Sequence, residues 1–202
     1  MEKKIKQIFE SEATAIKNIP LSDSYSKAID IIYDHVHRKN GKLVTSGMGK
    51  AGEIAHNIAT TFSSTGTPSI FLHPSEAQHG DLGILQKNDV ILAISNSGKT
   101  RELIELIDLK DNLFHSVPVI VITGNPVSPL ARKADCSILT GAPDEVCPLG
   151  LTPTTSTTVF TVIGDALVVI MMEKIGFKAE DYAKRHHGGY LGTKSREKSS
   201  KS

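Results

Sequence analysis

Two glycine-rich turns each connect a short apolar run to a stretch with helical periodicity. The first turn covers residues 45–52 (TSGMGKAG), and the second covers residues 94–100 (ISNSGKT). A strand that runs through a glycine turn into a helix is the building unit of α/β proteins, in which parallel strands alternate with helices. Because both turns follow a strand, we expect them to lie together at the carboxyl edge of one sheet.

The rest of the chain repeats this alternation. Apolar runs predict strands at residues 43–45, 69–72, 90–94, 118–123 and 136–139. Runs that are apolar at nearly every position suit a parallel sheet covered on both faces. The sequence therefore predicts an α/β fold with a doubly wound sheet. We predict a single domain over residues 1–191 and a flexible basic tail over residues 192–202.

Composition argues against several classes of function. The chain has 202 residues and a formal net charge of +1, which does not suit binding to nucleic acid through its overall field. The longest apolar stretch, residues 159–172, is shorter than the roughly 20 residues that span a bilayer. We expect a buried helix there, partly covered by another subunit, and no membrane contact. Cys136 and Cys147 are expected to be reduced thiols, and no signal peptide is recognised, so we predict a cytoplasmic protein.

The chemistry of both turns points to a phosphate ligand. A helix N-terminus presents unpaired N–H groups and the positive end of the helix dipole, so it binds anions. Serine and threonine hydroxyls can hydrogen-bond phosphate oxygens, and lysines add positive charge. The pattern favours a functional role for Lys50 and leaves the role of Lys99 open, because a solvated lysine is the usual case. We predict a sugar-phosphate enzyme.

Two nucleotide-binding motifs fit the turns less well. Gly47, Gly49 and Gly52 have the spacing of the dinucleotide fingerprint. That fingerprint expects an acidic residue at the end of the second strand, where this chain has His73 and Pro74. Neither turn has the leading glycine of a Walker A loop. The dinucleotide-dependent dehydrogenase is therefore the weaker interpretation.

Several other polar residues have both a structural and a functional interpretation. His79 lies in a loop whose histidine spacing matches no common zinc site, and it contacts either substrate or only the protein. Glu102 is placed to interact with a helix dipole, Glu145 lies in a polar loop, and His186 follows the last predicted helix. The hydroxyl-rich run at residues 152–158 forms either a capped helix start or a third wall of the phosphate site. We predict no metal and no cofactor.

Taken together, these segments resemble the sugar isomerase (SIS) domain, and more narrowly the arabinose-5-phosphate isomerases. The resemblance extends from about residue 5 to about residue 191. The phosphate turns are shared by SIS domains in general. The segments HGDLG at residues 79–83 and CPLGLTPT at residues 147–154 are more specific to this isomerase. Further matching segments lie at residues 61–68, 156–158, 164–167 and 186–189.

The resemblance implies a three-layer αβα sandwich with a five-stranded parallel sheet, assembled as a homotetramer whose active sites draw residues from neighbouring subunits. It implies interconversion of D-ribulose 5-phosphate and D-arabinose 5-phosphate, which supplies Kdo synthesis for lipopolysaccharide or capsule. The positions that match the family's catalytic residues are Lys50, Glu102, Glu145 and His186. The candidate substrate and phosphate contacts are Ser46, Gly47, His79, Ser95, Asn96, Ser97 and Thr100.

Three departures from the family pattern stand out. Lys99 and Arg101 flank Thr100 in a turn that is usually small and acidic, and they motivate the hypothesis that CMP-Kdo binds as a feedback ligand. His187 stands where the family usually has proline, which leaves open whether His186 or His187 acts. The chain ends before the pair of CBS domains that many members carry, so we expect an isomerase without them.

An aldose–ketose isomerisation of this kind moves a proton between two carbons through an enediol. It needs a base, a group that stabilises the developing oxyanion, and exclusion of water. Glu145 or Glu102 is the candidate base, Lys50 would stabilise the enediolate, and His186 would assist ring opening or proton transfer. The rival interpretations are another phosphosugar isomerase, of the 3-hexulose-6-phosphate type, and a non-catalytic sugar-phosphate sensor.

Overall fold

A five-stranded parallel sheet forms the centre of the molecule in the computed structural model, which describes residues 1–199. Its strands are β1 (Leu43–Gly47), β2 (Ser69–Phe71), β3 (Val90–Ile94), β4 (Val119–Thr123) and β5 (Cys136–Leu139). The spatial order is β2-β1-β3-β4-β5, and every neighbouring pair is parallel. The order of the strands reverses between β1 and β3, and doubly wound sheets bind ligands at such a switch point.

Helices cover both faces of this sheet. They are α1 (Glu2–Lys17), α2 (Ser24–Ile32) with a π-helical continuation (Tyr33–Arg38), α3 (Gly49–Ser64), α4 (Pro74–Ala77), α5 (Arg101–Phe114), α6 (Pro129–Lys133), α7 (Thr155–Lys174), α8 (Ala179–Arg185) and α9 (Gly189–Ser199). A short 3-10 turn, Asp81–Ile84, precedes β3. The predicted αβα sandwich with a five-stranded parallel sheet is confirmed.

The two faces of the sheet carry two separate hydrophobic cores. Alternate strand residues point to opposite faces, so Leu43 packs with α2, α3 and α7, whereas Val44 packs with α5. The first core contains the two largest fully buried side chains, Phe62 of α3 and Phe160 of α7. Burying each side chain of this size stabilises the fold by roughly 1.5–3 kcal/mol. The first core therefore stabilises the packing of α3 and α7 on the sheet.

The apolar run near the C-terminus lies within α7 (Thr155–Lys174). Its length and composition alone would allow it to cross a membrane, but half of its most apolar window is buried inside the protein. It packs against α3 and α1, and nine of its residues are buried. This helix therefore belongs to the core of the sandwich, while Val169 and Ile170 on its outer side stay exposed.

The segment after residue 188 differs from the flexible tail that we predict from residue 192. Residues 189–199 form α9, which packs against α8. Leu191 lies beside an apolar cleft that Met172 and Phe177 also line, and this cleft offers the helix an apolar surface that the sequence does not reveal. Residues 200–202 of the predicted tail lie outside the described residues.

Candidate active site

The two glycine turns lie side by side at the carboxyl edge of the sheet. β1 pairs with β3 up to the level of Gly47 and Ile94, so the turns leave the sheet together. At the first turn, a Cβ on Gly52 would lie 2.6 Å from the Gly47 carbonyl oxygen. Only glycine allows the start of α3 to pack this closely on the end of its own strand.

The second turn is closed by its own hydroxyl groups. Ser95 Oγ lies 2.8 Å from Thr100 Oγ1 and accepts a hydrogen bond from the Gly98 amide at 3.1 Å. Ser97 Oγ accepts a hydrogen bond from the Lys99 amide at 3.2 Å. These bonds hold the backbone in the shape that leads into α5, whose helix dipole favours an anion at this end.

A cavity of about 370 Å³ lies between the two turns and the segment that leads into α7. Its polar lining consists of Lys50, Ser95, Asn96, Ser97, Thr100, Glu145, Ser156 and Thr157. The rest of the lining consists of Met48, Ala51, Ile94, Gly150, Leu151, Pro153 and Phe160. A concave site with a few converging polar groups is the usual form of a small-molecule site, and its volume suits a small phosphorylated ligand.

Glu145 is held at the N-terminus of α7 by three hydrogen bonds to one carboxylate oxygen. Its Oε2 accepts from the Thr154 amide at 2.6 Å, from Thr154 Oγ1 at 2.9 Å and from the Ser156 amide at 3.3 Å. Burial on its own raises the pKa of Glu145, but the hydrogen bonds from Ser156 and Thr154 outweigh it and hold the pKa below its ordinary value. The carboxylate is therefore ionised at neutral pH, and it lies in the wall of the cavity.

Lys50 supplies the cation of this cavity. It lies in the first turn of α3 and is exposed, and it forms no ion pair with any residue of the described chain. An ammonium group that forms no ion pair can stabilise negative charge that develops on a ligand oxygen. The structure thus brings Lys50 and Glu145 to one cavity, together with Ser95, Asn96, Ser97 and Thr100 of the second turn.

Ser46 and Gly47, which the sequence predicts as phosphate contacts, lie in β1 outside the lining of this cavity. The Ser46 side chain is fully buried, and its hydroxyl donates a hydrogen bond to the Leu72 carbonyl at 2.7 Å. This bond ties the end of β1 to the residue after β2. The Ser46 hydroxyl thus has a partner within the protein, and its contact with phosphate stays a prediction.

Glu102, His79 and His186 also lie outside the lining of this cavity. Glu102 is in the first turn of α5, 4.0 Å from Arg101, and His79 is exposed after α4. His186 ends α8, where its ring stacks on Tyr182 with centroids 3.7 Å apart. One chain therefore assembles only part of the predicted catalytic set.

The hydroxyl-rich run at residues 152–158 leads into the first turn of α7, whose N-cap residue Thr154 makes no side-chain capping bond. Ser156 and Thr157 line the cavity, whereas Thr154 holds Glu145. Met48, Leu151 and Phe160 line the cavity but are not predicted from the sequence as site residues. The only sequence signal for their role is that they lie close to polar motifs.

Cys136 and Cys147 are both free thiols, as predicted. Within residues 1–199, no group of three or more His, Cys, Asp or Glu residues is placed to hold a metal ion.

The family model of the SIS domain matches residues 36–170, a range that includes both glycine turns, Glu145 and most of α7. This chain belongs to the SIS domain family. The SIS match ends within α7, so α8 and α9 lie beyond it.

Relatives of this SIS domain include enzymes and solved structures. Arabinose 5-phosphate isomerase KdsD of Escherichia coli (strain K12) is 53% identical over 154 residues, which are 76% of this chain and 46% of that protein. The chain spans about half the length of the curated relatives it matches. The crystal structure of a candidate phosphosugar isomerase involved in capsule formation, from Bacteroides fragilis, is 64% identical with a TM-score of 0.93 and covers 94% of this chain and 99% of its own. An Escherichia coli CFT073 protein in complex with arabinose 5-phosphate is 37% identical with a TM-score of 0.84 and covers 90% of this chain and 95% of its own.

Proposed function

We propose that this SIS domain is an aldose–ketose isomerase that interconverts D-ribulose 5-phosphate and D-arabinose 5-phosphate through an enediol. The observation that carries the proposal is the shared cavity of Glu145, Lys50 and the second glycine turn. The KdsD relatives and the solved structure with bound arabinose 5-phosphate support the choice of substrate. The match covers 46% of the Escherichia coli KdsD protein, and the activity of this chain is tested by direct measurement.

The proposed reaction uses the cavity residues in three roles. The second turn and the N-terminus of α5 bind the phosphate through Ser95, Ser97 and Thr100. Glu145 removes the proton from the carbon beside the carbonyl and returns it to the former carbonyl carbon, while the hydroxyl proton moves from one enediol oxygen to the other. Lys50 stabilises the enediolate oxygen between these steps. The reaction consumes no external oxidant or reductant, because the electrons that leave one carbon reduce the other.

Between the two carboxylates, the geometry supports Glu145 as the base, since it lines the cavity and Glu102 does not. Glu102, His79 and His186 act, in this proposal, at the site of a neighbouring subunit in a homotetramer. The surface supports such an assembly, because apolar side chains remain uncovered on two helices. They are Ile5 and Phe9 on α1, and Val169 and Ile170 on α7.

The proposed biological setting is the cytoplasmic supply of arabinose 5-phosphate for Kdo synthesis, with CMP-Kdo as a feedback ligand. The name of the Bacteroides fragilis relative supports a link to capsule formation. Arg101 lies 3.7 Å from Glu105 and 4.0 Å from Glu102, so its charge is partly compensated. Lys99 forms no ion pair within the described residues, and in this proposal it is the added cation that meets the feedback ligand. Competition assays in which CMP-Kdo leaves turnover unchanged would contradict this regulation.

The test is NMR of D-arabinose 5-phosphate incubated with the protein in heavy water. We expect ribulose 5-phosphate to form, with deuterium at the exchanged carbon. Glu145→Gln should lower kcat by roughly 100-fold to 10,000-fold, the usual contribution of a general base. Glu10→Gln, on the exposed face of α1, serves as the control.

Three outcomes would overturn parts of the proposal. Near-normal turnover by Glu145→Gln with a large loss in Glu102→Gln would move the base to Glu102. Full activity in both variants would exclude either carboxylate as the base. An absence of turnover, with a rise in melting temperature on adding the sugar phosphate, would favour a sensor or another phosphosugar substrate.

A further inference from the structure

Glu12 connects the N-terminal helix to the start of α7. No residue of α1 is fully buried, yet Glu12 is partly buried and accepts a hydrogen bond from Thr155 Oγ1 at its Oε1, at 3.0 Å. Its Oε2 is buried and has no hydrogen-bond partner within the described residues. A buried carboxylate oxygen without a donor is unfavourable, so this contact is not explained by the attachment of α1 alone.

Thr155 passes the interaction on to the loop that carries Glu145. Thr155 is 1% exposed, and its hydroxyl also accepts a hydrogen bond from the Val146 amide at 3.2 Å. A hydroxyl has one hydrogen and two lone pairs. Because Glu12 takes the hydrogen, a lone pair of Thr155 Oγ1 stays directed to Val146.

The two hydrogen bonds of the Thr155 hydroxyl, to Glu12 and from Val146, form a relay that ends next to Glu145. Val146 follows Glu145 in the chain, and Thr155 lies between the two residues, Thr154 and Ser156, that donate hydrogen bonds to the Glu145 carboxylate. The Thr155 hydroxyl therefore sets the separation between the loop and the first turn of α7. If that hydroxyl could rotate freely, the bond to Val146 would weaken and Glu145 could move away from its donors.

We propose that Glu12 is a positioning residue of the isomerase: it orients the Thr155 hydroxyl and so holds the Glu145 carboxylate at the N-terminus of α7. The proposal rests on the proposed role of Glu145 as the base. Glu12 does not line the cavity, so it acts through Thr155 and not by contact with substrate.

The decisive measurement does not depend on activity. The protein is labelled with carbon-13 at the glutamate carboxyl carbons, and the Glu145 signal is assigned with Glu145→Gln. We expect Glu12→Ala to raise the pKa of Glu145 toward its ordinary value, because the donors to Oε2 are lost. Lys50 is the other titratable side chain that lines the cavity, and none of the variants changes it.

Three variants separate positioning from simple attachment of the helix. Glu12→Gln keeps an oxygen that accepts from Thr155, so its Glu145 pKa should match the wild type. Thr155→Val removes the hydroxyl with little change of shape and should raise that pKa as Glu12→Ala does. Glu10→Ala, on the exposed side of the same helix, should leave it unchanged.

The kinetic expectation follows from the loss of one hydrogen bond. Glu12→Ala should lower kcat by about fivefold to tenfold with little change in KM, which corresponds to roughly 1–1.4 kcal/mol. An unchanged Glu145 titration in both Glu12→Ala and Thr155→Val would overturn the proposal, even if activity fell. If Glu12→Ala does not fold, Thr155→Val and Glu12→Gln decide the matter. If the wild type does not isomerise the sugar phosphate, the proposed function fails, while the titration still tests the relay.

Discussion

At the residue scale, the second turn depends most on Gly98. Its φ is +63°, a conformation that costs other residues about 1 kcal/mol or more, and a Cβ there would lie 2.0 Å from Ser128 Oγ. Ser128 cannot move freely, because its Oγ accepts a hydrogen bond from the Ala131 amide at the start of α6. The positive φ of the turn and the closeness of Ser128 therefore both restrict position 98 to glycine.

Gly150 offers a matched control for that restriction. Its φ is +62°, but nothing lies within 4 Å of a Cβ placed on it. Both Gly98→Ala and Gly150→Ala should be destabilised by the strain of an alanine at positive φ. Gly98→Ala should lose about 1–2 kcal/mol more of its unfolding free energy, because Ser128 must give up its hydrogen bond to the Ala131 amide. Urea unfolding of the two variants measures this difference. Equal losses of unfolding free energy would show that Ser128 moves aside without cost.

At the element scale, the crossing of α3 and α7 is limited by Gly164. A Cβ at this position would lie 2.5 Å from both Cγ1 and Cδ1 of Ile58. Alanine is normally the better helix former by about 1 kcal/mol. Here the helix backbone passes so close to a buried side chain that packing should outweigh propensity.

We expect Gly164→Ala to destabilise the protein by about 1–3 kcal/mol. Ile58→Ala alone should cost about 2–5 kcal/mol, because it leaves a cavity in the core. The double variant should be more stable than the sum of the two losses predicts, since the new methyl group enters the space that Ile58 vacates. Denaturant unfolding of all four proteins gives the coupling energy, and a value near zero would contradict the packing argument.

At the scale of the whole molecule, a partly buried histidine links stability to pH. His37 lies on the π-helical continuation of α2, and its Nε2 is 3.0 Å from Thr67 Oγ1 in the turn between α3 and β2. Burial lowers the pKa of His37 below its ordinary value of 6.5. The folded state therefore binds this proton less readily than the unfolded state does.

The lowered pKa of His37 makes the folded state less stable at acidic pH. Above pH 6.5 the imidazole is neutral in both states and has no effect, whereas stability falls as the pH drops from 6.5 through the lowered pKa of the folded state. We expect His37→Gln to reduce this loss in melting experiments between pH 7 and roughly pH 5. His115→Gln is the control, because that side chain is 91% exposed. Identical pH profiles for wild type and His37→Gln would exclude the imidazole as the source.

Local sequence patterns were sufficient for the elements and for part of the site. The strand at Val90–Ile94 is apolar at every position and is found where predicted, because a strand buried on both faces has only that composition available. The second turn is likewise recognisable, since Ser95, Ser97 and Thr100 precede a helix that must follow a strand. The end of β1 was less predictable, because Ser46 and Gly47 look like turn residues but pair with β3.

The sequence by itself therefore determined the α/β fold with a doubly wound sheet, the position of both glycine turns and the presence of Lys50 in the first of them, because each of these depends on residues close together in the chain. Only the tertiary structure decided that Glu145 rather than Glu102 lines the cavity, that the Ser46 hydroxyl is bonded internally, and that Glu12 reaches Thr155. These contacts join segments that are far apart in sequence. Such hydrogen bonds have no periodicity along the chain, so they exist only once the sheet and its helices have brought the partners together.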